Sequence, residues 1–341
     1  MRREYVLLAL LALSCEVGHA SPPIRVAVTL TDFLPIVEAI GGNQVEAFSI
    51  MPPGSDPHSV SVNTEIIQRV REAQLAVYAN SASLAFEHDL KKALAAKPSV
   101  DWPQYEQQGA RLLDFPGMPS NPHGFWLDYD NAVAIARTVA SVLVTSGANE
   151  KVVAANLERF SDEVHAQREA VLDAMRNSGN LGDTVIAVVP GVAYTVRNLG
   201  LAVGGILLPD EGSGQADAKS LMEINRLLGK GSARLLVCPV GLRHAKAGDI
   251  AEQLARDTGT RVAYTRFLQT GGTKRTFLGD AAYNAVVTRA VLAHVEPEGG
   301  GTASQSIYPA LLAIMGGVFL LLIFLVMRRI LSRKGLYGQR S

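Results

Sequence analysis

Short apolar runs rich in β-branched residues alternate with helical patterns through most of this 341-residue chain. The runs are typical of buried strands and cover residues 25–30, 45–50, 75–80, 184–189, 202–208, 234–239 and 261–267. The helical patterns between them include residues 64–73, 132–145, 218–228 and 245–257. Because strands that alternate with helices pair in parallel, the sequence predicts an α/β fold built on central parallel sheets.

One segment interrupts this alternation, since residues 149–178 contain no glycine and no proline. Its apolar residues recur at spacings of three, four and seven, which is typical of one buried face of a helix. This stripe consists of Val153, Leu157, Phe160, Val164, Val171 and Met175. At 1.5 Å per residue the helix would be about 45 Å long. We therefore predict one rigid helix joining two α/β lobes, with an ordinary surface helix of one lobe as the alternative.

The N-terminus has the features of an export signal. Residues 1–20 combine a basic start, a short apolar core and small residues at Gly18 and Ala20, which predicts a signal peptide cleaved after Ala20. A lipoprotein signal with Cys15 as the lipidated residue is the alternative, although Ala12 stands where such signals usually have leucine.

The C-terminus has the features of a membrane anchor. Residues 307–327 form a run of 21 residues without a charge, long enough to cross a hydrocarbon core of ~30 Å as a helix. Residues 328–341 then carry five Lys or Arg and no acid, so the positive-inside rule places them in the cytoplasm. A buried core helix is the alternative. The sequence predicts an exported, periplasmic ectodomain anchored in the inner (cytoplasmic) membrane by a transmembrane helix.

These features together predict seven consecutive segments. They are a signal peptide (1–20), an N-terminal α/β lobe (21–148), a linking helix (149–178), a C-terminal α/β lobe (179–296), a flexible Gly-rich tether (297–306), the transmembrane helix (307–327) and a basic cytoplasmic tail (328–341).

The composition disfavours several classes of function. The chain has 32 Lys and Arg against 32 Asp and Glu, so a broad basic face for nucleic acid is not expected. Its two cysteines, Cys15 and Cys238, are too few for a disulfide framework. The sequence has no Gly-x-Ser-x-Gly, Cys-x-x-Cys or His-Glu-x-x-His motif, which indicates that the protein is not a hydrolytic or redox enzyme.

Two of the seven histidines lie in proline-rich loops next to regular elements. His58 ends the segment Pro-Pro-Gly-Ser-Asp-Pro-His, which follows the 45–50 run, and His123 lies in Asn-Pro-His-Gly-Phe-Trp-Leu-Asp. Prolines lower the entropy lost when such a loop holds a side chain in a cleft. Two imidazoles held in this way suit a borderline divalent metal, and a simple Pro-His turn is the alternative.

These two segments and Asp-Ala-Lys-Ser-Leu at residues 217–221 resemble, in the same order, landmarks of the zinc/manganese-type solute-binding proteins of bacterial ABC importers. The resemblance covers residues from about 25 to 295. It implies two α/β lobes bridged by a rigid helix. It also implies a metal ion bound between the lobes and delivered to an ABC permease and its ATPase.

Members of this family usually bind the metal through two histidines of the N-terminal lobe and, from the C-terminal lobe, a His or Glu and an Asp. The resemblance makes His58 and His123 the first two ligands. The third position falls in Val-Val-Pro-Gly at residues 188–191, which has no ligand side chain. Arg266 or a neighbour stands at the fourth position, and Cys238 replaces a glutamate that many members have.

These departures leave three outcomes open, because an arginine ~4 Å from a divalent ion would repel it by about 8 kcal/mol at an effective dielectric of 20. In the first outcome, Arg266 points away from the metal, and a weaker site is completed by Cys238, Asp210, Glu211 or water. A Cys238 thiolate in such a site would favour zinc or copper. Alternatively, the pocket accepts a metal chelate or an anion, with Arg266 as the counter-charge. In the third outcome metal binding is lost and the protein is an interaction or regulatory subunit. Cys238 is otherwise interpreted as a buried strand residue.

Overall fold

The computed structural model describes residues 22–52, 57–209, 218–267 and 275–293. The predicted signal peptide, tether, transmembrane helix and basic tail lie outside these residues. Within the described part of the chain, no helix is long and apolar enough to cross a membrane. The anchor at residues 307–327 therefore stays a prediction.

The first lobe is built around a four-stranded parallel sheet. Its strands are β1 (Ile24–Val28), β2 (Val45–Ser49), β3 (Leu75–Val77) and β4 (Ser99–Val100), and its helices are α1 (Leu34–Gly41), α2 (Thr64–Glu72), α3 (Ala85–Ala93), α4 (Trp102–Gln107) and α5 (Tyr129–Thr145). A short antiparallel hairpin, β5 (Leu113–Phe115) with β6 (Met118–Asn121), lies between α4 and α5 in sequence. The hairpin was not predicted.

The second lobe repeats this arrangement. Its strands are β7 (Thr184–Ala187), β8 (Ala202–Ile206), β9 (Leu236–Pro239) and β10 (Val262–Thr265), and its helices are α7 (Val192–Asn198), α8 (Ala218–Gly229), α9 (Lys246–Thr258) and α10 (Phe277–Ala293). The first sheet has the order β2-β1-β3-β4, and the second has the order β8-β7-β9-β10. Both sheets are parallel, so the predicted α/β class is confirmed.

The long helix α6 (Glu150–Asn177) lies between the two lobes in sequence. Val153, Phe160, Val164, Val171 and Met175 of the predicted stripe are buried, and Leu157 is partly buried against the same core. One continuous hydrophobic core contains residues of both lobes and of this helix. A second, smaller cluster fills the other face of the first sheet, where Ala27 and Ala76 project away from Val26 and Val77.

The strand order opens a crevice at the carboxyl ends of the strands in each sheet, where ligands bind in folds of this type. In the order second-first-third-fourth, the crossover helices after the first and second strands leave on opposite sides, so a crevice opens beyond the carboxyl ends of the first and third strands. The run predicted to continue to residue 80 ends as a strand at Val77. The Tyr78 N–H still donates to the Val100 carbonyl of β4 at 2.9 Å, and Ala79 and Asn80 then begin the loop to α3 beyond this end of the sheet.

Candidate metal centre

The structure brings His58 and His123 together. Their ring centroids are 5.4 Å apart, with 46° between the ring planes. A first-row metal ion lies about 2 Å from each ligating nitrogen, so rings at this separation can reach one shared ion. His58 is exposed and His123 is half-buried, which leaves the pair accessible from solvent.

Local backbone contacts hold His123 in place. The His123 N–H donates to Asn121 Oδ1 at 2.9 Å. This is an Asx-turn, in which an asparagine side chain accepts from the backbone N–H two residues later. Gly124 follows with φ of 73°, a left-handed conformation that glycine adopts without strain. The chain can therefore reverse directly after the histidine and enter the short helical segment Phe125–Leu127, in which Phe125 and Trp126 are buried.

The two rings line a small cavity of about 50 Å³ beyond the carboxyl end of β3. Its walls are formed by Pro57, His58, Ala79, Asn80, Ser83, Leu84, Pro122, His123, Trp126 and Phe267. The side chains of Trp126 and Phe267 stack at a centroid distance of 6.3 Å and an angle of 16°. The cavity therefore combines two imidazoles, an amide and a hydroxyl with an apolar aromatic floor.

At the position where the family resemblance implies a third ligand, the second lobe contributes a backbone carbonyl and, from α7, a tyrosine hydroxyl. The carbonyl of Pro190 accepts from Asn121 Nδ2 at 2.9 Å, and the hydroxyl of Tyr194 donates to the Asn121 carbonyl at 2.6 Å. Asn121 and Tyr194 are both fully buried. The end of β7 thus supports the loop that carries His123.

Arg266 is not among the residues that line the cavity of the two histidines. Its guanidinium is 3.2 Å from Asp280 Oδ1 and lies 4.0 Å from the centroid of the Tyr283 ring. Asn284 fixes its backbone by accepting from the Arg266 N–H at 2.6 Å and donating to its carbonyl at 3.0 Å. The side chain lines a neighbouring cavity, where Asp280 pairs with both Arg266 and Arg275, so the ion pair offsets only part of the charge that would oppose a metal ion.

Cys238 is not among the residues that line the histidine cavity. Cys238 is fully buried in β9, where its thiol contacts the Pro239 carbonyl at 3.6 Å. Burial, and secondarily the charge of Glu252, raises the pKa of this thiol to about 12, so it stays protonated at neutral pH. Its position agrees with the interpretation as a buried strand residue. Glu211 and Asp210 lie outside the described residues, as does residue 217 of the third motif.

In the described part of the chain, no group of three or more His, Cys, Asp or Glu side chains is placed to hold a metal ion. The histidine pair is therefore a partial site within these residues. Two imidazoles are fewer than the three or four protein ligands of a typical zinc site.

A buried carboxylate beneath the cavity was not predicted. Glu87 of α3 is fully buried and accepts hydrogen bonds from the N–H groups of Ala79 and Asn80, each at 2.8 Å, and from the hydroxyl of Thr29. A sequence signal was present, because Glu87 precedes Leu90 and Leu94 by three and seven residues on the inward face of the helix.

This carboxylate predicts a specific pH dependence of stability. Burial raises the pKa of Glu87 from 4.5 to about 7; the hydrogen bonds act against this shift, and nearby Asp101 adds to it. Because folded Glu87 binds its proton more tightly than unfolded Glu87, protonation stabilises the folded state. This contribution is complete below about pH 4.5 and is lost as the pH rises through about 7. Relative to Glu87→Gln, the free energy of unfolding should therefore fall by about 3 kcal/mol between pH 4.5 and 8. Urea unfolding of both proteins across this range measures it, and a constant difference would contradict it.

The sequence matches the family of the periplasmic zinc-uptake complex component A, ZnuA, over residues 26–289. The chain belongs to this family. The ZnuA family comprises solute-binding components of metal ABC importers of the zinc and manganese type, as the three motifs implied. Its members are binding proteins rather than enzymes.

Individual relatives are more distant. The chain is 24% identical over 185 residues to the metal ABC transporter substrate-binding lipoprotein FimA of Streptococcus parasanguinis, covering 51% of this chain and 59% of FimA. It is 24% identical over 177 residues to the manganese ABC transporter substrate-binding lipoprotein PsaA of Streptococcus pneumoniae, covering 46% and 55%. The matches thus span little more than half the length of these relatives.

The fold is also similar to a solved structure of the solute-binding protein FpvC from Pseudomonas aeruginosa in complex with Mn²⁺. The TM-score is 0.67 at 17% sequence identity, and the match covers 80% of this chain and 99% of FpvC. The two proteins therefore share an architecture.

Proposed function

We propose that this protein captures a divalent metal ion between its two lobes and delivers it to an ABC permease and its ATPase. His58 and His123 are the proposed protein ligands. The observation that carries the proposal is the pair of imidazoles with centroids 5.4 Å apart in one cavity at a strand-end crevice. Zinc and manganese are the proposed ions and copper is a further candidate, because imidazole nitrogen suits borderline first-row ions.

The proposed setting is the periplasmic side of the inner membrane. Residues 1–20 would direct export, and residues 307–327 would anchor the binding protein in place of free diffusion. A tether at residues 297–306 would keep the ectodomain at high local concentration near the permease. In this proposed organisation, the bounds predicted from the sequence also apply to the two lobes, the linking helix and the basic tail.

The position of Arg266 supports a site that still accepts a cation. Its guanidinium is engaged by Asp280 and Tyr283, so the repulsion expected of an arginine at the fourth ligand position is reduced. The remaining coordination positions would be filled by water or by Glu211 or Asp210. We expect weaker binding than a complete four-ligand site would give.

A second candidate function is that of an interaction or regulatory subunit that has lost metal binding. It is favoured by the lack of any three-residue ligand cluster in the part of the chain that the structure describes. Recovery of a permease complex in a pull-down, together with blank metal analysis of the purified protein, would support this function over metal capture.

Calorimetric titration of the full chain with zinc, manganese and copper(II) chlorides tests the proposal directly. We expect saturable binding of one ion per chain for at least one of the three metals. Metal analysis of protein purified without chelator should find the same ion. The lack of saturable binding for all three would overturn the proposal.

A further inference from the structure

The loop between β3 and α3 forms one wall of the imidazole cavity. Ala79, Asn80, Ser83 and Leu84 of this loop line it, with His58 and His123. A ligand-binding wall made of loop backbone needs support from beneath, because loops by themselves open more easily than helices or strands.

Glu87 provides that support from the first turn of α3. Its Oε1 accepts from the Ala79 N–H and its Oε2 accepts from the Asn80 N–H, both at 2.8 Å. These donors are consecutive residues of the cavity wall. A carboxylate that accepts hydrogen bonds from two adjacent backbone N–H groups fixes the orientation of the peptide between them. An ionised acceptor holds these groups more strongly than a neutral one.

The same carboxylate connects to the strand that precedes the His58 loop. The hydroxyl of Thr29 donates to Glu87 Oε1, and the Thr29 carbonyl accepts from the Met51 N–H at 3.3 Å. Met51 lies two residues after the last residue of β2, on the chain that leads to His58 in the sequence. Glu87 therefore contacts the cavity wall directly and the chain that leaves β2 through one intervening residue.

Thr29 lets the site tolerate both charge states of Glu87. When Glu87 is ionised, the hydroxyl donates to its carboxylate. When Glu87 is protonated, its O–H can donate to the Thr29 oxygen, while the Thr29 hydroxyl turns to the Val77 carbonyl at 3.2 Å. In that state Oε1 becomes a donor towards Thr29, the carboxyl loses its charge, and its hold on the two backbone N–H groups weakens.

The other ionisable groups around Glu87 come from neighbouring elements. Asp101 lies at the start of α4, where burial raises its pKa but hydrogen bonds, led by that from Lys91, bring it below its ordinary value. Tyr78 and Tyr105 face both carboxylates, and burial raises the pKa of each phenol. Asp101 thus stays charged near neutral pH, which leaves Glu87 as the carboxyl group of this cluster able to change charge there.

We propose that Glu87 is a positioning residue of the metal site, and that its ionised carboxylate sets the wall opposite the two imidazoles so that metal affinity follows its charge. This inference rests on the metal-binding function proposed above. Glu87 touches neither histidine and acts through the backbone of Ala79 and Asn80. The negative charge beneath the cavity also attracts a cation.

Zinc titration of the full chain and of Glu87→Gln at pH 5.5, 6.5 and 7.5 tests this inference. Glutamine keeps the shape but places an NH₂ group against a backbone N–H donor. We expect Glu87→Gln to bind zinc about tenfold more weakly at pH 7.5, the range seen when partners that orient ligands are removed. The difference in zinc affinity between the parent protein and Glu87→Gln should be smaller at pH 5.5, because protonated Glu87 is uncharged like glutamine. The ratio of the two affinities cancels protonation of the histidines themselves.

Two threonine variants complete the test. Thr29→Val removes one donor to Glu87, and we expect zinc affinity to fall by about threefold at pH 7.5. Thr138→Val is the matched control, since Thr138 is a buried threonine of α5 whose hydroxyl donates to the Ala134 carbonyl at 2.9 Å. It should leave zinc affinity unchanged. If Glu87→Gln does not fold, the threonine pair decides the matter.

The possible outcomes are distinct. Equal zinc affinity of the parent protein and Glu87→Gln at all three pH values would overturn the role of Glu87 and leave metal capture intact. An affinity gap that does not change with pH, with an equal loss in Thr138→Val, would indicate general destabilisation and also overturn it. A parent protein that binds none of zinc, manganese and copper(II) saturably would overturn the proposed function and this inference together.

Discussion

Replacing both His58 and His123 with alanine is expected to lower zinc affinity by at least about 100-fold. Their ring centroids lie 5.4 Å apart in one cavity, and the described residues place no cluster of three metal-ligating side chains anywhere. Among the described residues that line the cavity, removal of both imidazoles would therefore leave only neutral polar groups with little affinity for zinc, such as the Ser83 hydroxyl. Loss of a partner that only orients a ligand already costs about 10–100-fold.

His88 and His165 provide the matched control for this prediction. Both are exposed, on α3 and α6, and the double variant His88→Ala with His165→Ala removes the same number of imidazoles. Its zinc affinity should equal that of the parent protein. Titration calorimetry and circular dichroism of the two double variants separate a lost site from a lost fold. Equal zinc affinity in both double variants would exclude the histidine pair as ligands.

The α/β class was predictable because the strand and helix patterns depend on local periodicity. A parallel strand buried on both faces has to be apolar along its whole length, and seven runs of this kind showed where the main strands lie. The short helices α3 and α4 are not among the helical patterns named from the sequence, since their apolar residues are few and their burial depends on the sheet beneath them. The two-residue strand β4 and the hairpin of β5 and β6 carry too little pattern for recognition.

The candidate site was predictable only in part. Proline-braced loops and the family resemblance identified the two histidines, and the structure places them in one cavity. The direction of Arg266 could not be predicted, because it depends on Asp280 and Tyr283 of α10, which follow it by 14 and 17 residues. The support from Glu87 depends likewise on three strand ends meeting, which no local pattern encodes.

The close approach of the two lobes beside His123 gives a second large expected effect. Gly124 has φ of 73°, and a Cβ added there would lie 2.6 Å from the Gly191 carbonyl oxygen of the second lobe. Gly124→Ala would therefore combine left-handed backbone strain of about 1–2 kcal/mol with an overlap that forces the lobes apart. We expect the free energy of unfolding to fall by about 4 kcal/mol, the sum of the two costs.

Gly117 separates these two costs. It has φ of 75°, nearly the same as Gly124, but an added Cβ would meet nothing within 4 Å. Gly117→Ala should therefore show the backbone strain alone, about 1–2 kcal/mol. Urea unfolding of the two variants gives their difference, which measures how tightly the end of β7 packs against the His123 turn. Equal destabilisation would mean that the lobes can separate at this point without cost. In that case the second lobe would not hold the histidine loop, and the backbone contact at the third ligand position would have no part in forming the site.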